Sequence, residues 1–73
     1  MRYAVIIEQG EKNYSAYVPD LPGCVSVGDT LDEVKEEIRS AIEFHLDGMR
    51  ADGQIPPKPS SRAEYIDIDT QAA

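Results

Sequence analysis

Two prolines three residues apart, with a glycine directly behind the second, punctuate the stretch Tyr17–Glu33 (YVPDLPGCVSVGDTLDE). Nothing else in the chain restricts the fold as strongly. Pro19 and Pro22 each hold φ near −65° and offer no N–H to a ladder, so a central strand cannot pass through either. Gly23 supplies a position for positive φ or for close backbone approach. Behind the turn, Cys24 to Val27 resumes a strand pattern, with Val25 and Val27 alternating against Cys24 and Ser26. Gly28-Asp29 breaks that run, and Thr30-Leu-Asp-Glu33 has the spacing of a capping box. In that arrangement the Thr30 hydroxyl accepts from the Glu33 N–H, and the Glu33 carboxylate accepts from the Thr30 N–H.

The remaining elements hang on this stretch. Residues 2–8 read as a strand, with Tyr3, Val5 and Ile7 on one face and Ala4 and Ile6 on the other. The polar turn QGEKN leads into a second strand at 14–18, and 24–27 makes the third. A helix is predicted over 31–51, with an apolar stripe of Leu31, Val34, Ile38, Ala41, Ile42, His45 and Met49. Phe44 lies off the stripe, free for an intermolecular contact. Gly48 weakens the helix interior, and Gly53 suits the C′ position. QIPPKPSS is an extended connection. Residues 64–69 (EYIDID) alternate as a fourth strand with Ile66 and Ile68 toward the core, and Thr70 to Ala73 reads as a frayed end. The order β-β-β-α-β is a two-layer α+β domain over 1–73, one long helix on one face of a mostly antiparallel sheet.

Composition narrows the function. A net charge of −7 on 73 residues disfavours direct nucleic-acid binding and favours steering toward a basic partner. One cysteine and one histidine provide neither an internal disulfide nor a good metal site, so no cofactor is expected. A core this small calls for another staple, and oligomerisation is the one left, as a dimer or tetramer. No apolar run approaches the ~20 residues of a membrane span, and Met1-Arg2 opens straight into a strand pattern, so the expected location is the cytoplasm.

With these residues in view, the run YSAYVPDLPGCVSVGDTLDE at Tyr14–Glu33 resembles the signature of the HicB-like antitoxin family. The opening RYAVIIE, the helix spacing EEI…AIEFHLDGM and the segment GQIPPKP…YIDID are similar to the same family in order and length. The resemblance covers essentially the whole chain. It implies a partial, degenerate RNase H-like fold and an antitoxin that neutralises a small basic HicA-like mRNA-cleaving toxin. Many such proteins carry a C-terminal DNA-binding domain. This sequence stops after the predicted fourth strand, so no direct DNA binding is expected.

Candidate residues follow from both readings. An RNase H-like nuclease needs carboxylates converging on two metal ions, one of them from the middle of the first strand. Here that position is Ala4-Val5-Ile6-Ile7, with Glu8 only at the end, and Asp67 and Asp69 lack the partner; no catalysis is expected. Cys24 reads as a small buried hydrophobe, since no activating base can be placed beside it. His45 reads as a hydrogen-bonded core residue of the helix's later turns, where its charge suits the dipole, with a pH-sensitive contact at a subunit interface as the alternative. The expected partner-binding residues are Asp20, Leu21 and Pro22 on the rigid turn with Asp29, Asp32 and Glu36 at the helix start, Leu21 being either presented to the partner or buried under the helix. Tyr3, Val5 and Phe44 are the expected oligomer contacts. The alternative function is a stand-alone oligomeric interaction or regulatory module without a toxin partner.

Overall fold

The computed structural model describes residues 1–70, so residue 71 onward of the frayed end lies outside them. The first hairpin joins β1 (Ile6–Gln9) to β2 (Tyr14–Tyr17), its turn closed by the Gly10 N–H donating to the Asn13 carbonyl at 2.8 Å. β3 (Val25–Gly28) pairs with the other edge of β2, giving an antiparallel sheet of order β1-β2-β3. The register aligns Ile6, Tyr17 and Val25 in one row and Ile7, Ala16 and Ser26 in the next. A single helix, α1 (Leu31–Ala51), follows and packs on β2 and β3, making the α+β arrangement read from the sequence.

The proline stretch is two consecutive turns. The Leu21 N–H donates to the Val18 carbonyl at 3.1 Å across Pro19, and the Cys24 N–H donates to the Leu21 carbonyl at 3.0 Å across Pro22. Gly23 has φ +86°, so the second turn has proline and glycine where a type II turn wants them. The Val18 N–H closes the loop on the Cys24 carbonyl at 3.2 Å. This loop supplies half of the core: Val18, Leu21 and Cys24 are buried together with Ala16, Val34 and Ile38.

The same loop explains why β1 begins at Ile6 rather than at residue 2. Beyond Tyr17 the Val18 N–H and carbonyl are committed to Cys24 and Leu21, and Pro19 has no N–H. Tyr3, Val5 and their neighbours therefore run extended without a ladder partner on β2. β3 shifts by one residue, to 25–28, and carries Gly28 under the helix. A Cβ there would lie 2.6 Å from the Val34 nitrogen, so sheet and helix backbones meet at that point.

Both ends of α1 are closed locally. Thr30 Oγ1 accepts from the Glu33 N–H at 3.1 Å, as the capping box requires. The return bond differs: the Glu33 carboxylate takes the N–H of Asp29 at 3.0 Å, one residue before the one expected. At the other end Gly53 has φ +75°, its N–H reaches the Arg50 carbonyl, and the Gln54 N–H reaches that of Met49. That pair of bonds is a Schellman motif.

The expected fourth strand is not formed. Residues 64–69 carry no ladder pairing, and every residue from 60 to 70 is exposed. A strand exists only beside an edge, and in this structure the segment does not lie along one.

Candidate interaction surface

The acidic candidates separate into two places. Asp29, Asp32 and Glu36 are exposed around the start of α1, just beyond the end of β3. Asp29, Glu33 and Glu37 gather there with Asn13, Val27 and Gly28 around a shallow depression of about 320 Å³. Asp20 sits in the loop before β3, a strand's length away, and does not join them. The six residues expected to form one contact surface are therefore divided by β3.

Asp20 has another use. Its Oδ2 accepts from the backbone N–H groups of Ser60 and Ser61 at 2.8 and 2.9 Å, and its Oδ1 accepts from their hydroxyls at 3.1 and 2.7 Å. The Ser61 N–H above all, then the Ser60 N–H and the Ser61 hydroxyl, lower its pKa from 3.8 to about 2. All four bonds favour the ionised form. Both carboxylate oxygens are thus engaged in tying the loop to the segment after the helix. Leu21 is 1% exposed and belongs to the core, so its side chain is not presented to a partner. Pro22 is exposed.

The oligomer candidates also separate. Tyr3 and Val5 line a cleft between the arm leading into β1 and the helix, whereas Phe44 is 82% exposed on α1 outside that cleft. What the sequence reading missed is the outer face of the sheet. Val25 and Val27 are 64% and 62% exposed there, beside Tyr17 and Ile6, while Cys24, Ser26 and Gly28 turn toward the helix. The alternation was visible, but period-2 patterning does not say which face a helix will cover. The small residues Ser26 and Gly28 were the available signal, since only small groups fit where α1 approaches.

Burial pushes the Cys24 thiol up, which leaves it the inert thiol form. Among the described residues, no group of three or more His, Cys, Asp and Glu is arranged to hold a metal ion. No described helix is long and apolar enough to cross a membrane.

The family model described as HicB-like antitoxin of bacterial toxin-antitoxin system matches residues 3–71. The chain belongs to the HicB-like antitoxin family. An uncharacterised 14.9 kDa protein of Haemophilus phage HP1 is 42% identical over 66 residues, covering 90% of this chain and 50% of its own length. A UPF0150 protein of Thermoplasma acidophilum is 33% identical over 93% of this chain and 97% of its own. A Photorhabdus laumondii protein named Antitoxin HicB 2 is 28% identical over the whole of this chain and 53% of its own length. The chain thus spans about half of the phage and Photorhabdus relatives and nearly all of the Thermoplasma one. In this HicB-like chain, the PDLPGC run that carries the resemblance is the double turn that fills the core.

Proposed function

We infer that the protein is an antitoxin that binds and neutralises a small basic HicA-like mRNA-cleaving toxin. The observation that carries this is the uncovered acidic ground at the start of α1, with exposed Val25 and Val27 on the adjoining sheet face. Charge steers a basic partner to that end, and apolar side chains beside it give the docked complex its lifetime. Inhibition is steric and electrostatic: Asp29, Asp32 and Glu36 cover the positive face that the toxin uses for RNA. The protein does no catalysis of its own and needs no cofactor. Residues 1–73 act as one HicB-like, degenerate RNase H-like unit, as a dimer or tetramer in the cytoplasm, without touching DNA.

A second reading, an interaction module that self-associates without a toxin partner, is favoured by the exposed apolar segment at 64–69. The test separates the two. Replacing Asp29, Asp32 and Glu36 by Lys should slow association with a small basic HicA-like toxin by about 10-fold at low salt. It should also flatten the salt dependence, while self-association and the thermal midpoint of α1 stay near those of the parent. An association rate that does not respond to the three reversals would contradict the assigned surface.

A further inference from the structure

β1 is a sheet edge. Among the described residues it pairs with β2 alone, and the extended arm before it joins no ladder. The helix packs on β2 and β3 but not on β1, so the layer between α1 and this edge is left open. The result is a cleft of about 420 Å³ with Tyr3, Val5 and Ile7 on the sheet side and Ile38 and Ile42 on the helix side. Lys35, Arg39 and Glu43 stand on its helix wall. A single strand laid along the free edge of β1 would point alternate side chains into this opening.

The chain has a segment of that description, and it is elsewhere. Glu64–Asp69 spans roughly 20 Å when extended, with Tyr65, Ile66 and Ile68 at 102%, 73% and 72% exposure. Its own path is set before it starts. Tyr3 donates to the Pro57 carbonyl, and Asp20 holds Ser60 and Ser61, so residues 61–64 lie against Arg2–Ala4 instead of entering the cleft. Beyond that hold Tyr65 and both isoleucines lie in solvent.

We propose that two copies exchange these segments: residues 64–69 of one add as a fourth strand to the β1 edge of the other. Ile66 and Ile68 enter the cleft against Ile38 and Ile42, and the exchange is reciprocal about a two-fold axis. The segment itself selects a second copy: it is an exposed strand-patterned run with Glu64, Ile66 and Ile68 on one face, and the wall it meets carries Lys35 and Arg39 beside Glu43. This rests on the oligomeric part of the reading above and specifies its contacts.

The experiment uses the full chain. Sedimentation equilibrium of the parent should give a dimer or a multiple of one. Isotope-filtered NOE spectra on a mixture of 13C-labelled and unlabelled chains should connect the Ile66 and Ile68 methyls of one copy to Ile38 and Ile42 of the other. The Ile66→Asp/Ile68→Asp variant, altered only at positions exposed in the single copy, should keep its helical circular dichroism and raise the dimer dissociation constant by about 100-fold or more. A monomer at micromolar concentration would remove both the oligomer reading and the exchange. An oligomer indifferent to the double substitution, or NOEs confined within one copy, would overturn the exchange and leave the oligomer reading standing.

Discussion

Leu21 lies between two prolines and is 1% exposed, packed with Val18, Cys24, Val34 and Ile38. Leu21→Ala should therefore cost about 2–5 kcal/mol through lost burial and the cavity left behind. Denaturant unfolding checks this; a shift under about 1 kcal/mol would mean the double turn does not anchor the core. Asp20 makes a pH-dependent contribution of definite sign. Its folded pKa of about 2 lies below the ordinary 3.8, so its stabilisation is complete above the unfolded value and is lost as pH falls from there toward 2. An NMR titration of its carboxyl carbon should give a midpoint near 2, and Asp20→Asn should remove that acid-side dependence and free Ser60 and Ser61. A midpoint at the ordinary carboxylate value would contradict the clamp. This role was not legible in the sequence, because Asp20 and its partners are 40 and 41 residues apart and no local pattern links them. Leu21 was half-legible: the prolines flagged a rigid loop, but the direction of its side chain depends on where α1 lands.

Among the elements, α1 was the most readable, and both its bounds agree with the reading at 31–51. Each end is decided within one turn, by Thr30 and Glu33 at the start and by Gly53 at the finish. Thr30→Ala should accordingly cost about 1 kcal/mol. A thermal midpoint that does not fall would place the start of the helix elsewhere. The strands were less readable because pairing is not local. β1 starts late since Val18 and Pro19, on the neighbouring strand's end, have nothing to offer Tyr3–Val5. Residues 64–69 have the alternation of a strand, yet alternation only says which side chains would share a face once an edge is supplied. In this structure none is.

At the scale of the molecule, the surfaces divide the work. The start of α1 and the outer face of β3 present acid beside valine, and β1 presents an open edge next to a cleft whose helix wall carries Lys35, Arg39 and Glu43. The two proposed contacts use different places: the first surface for the basic toxin, and the β1 edge for the strand of a second copy. Exposed negative charge is the ground on which the first is proposed as the functional surface. The most direct measurement is RNA cleavage by a small basic HicA-like toxin, titrated with the purified full chain. Cleavage should fall to background near stoichiometric addition, and inhibition should develop about 10-fold more slowly at low salt when Asp29, Asp32 and Glu36 are all replaced by Lys. Cleavage that continues undiminished at a large excess of the unmodified protein would contradict the antitoxin account.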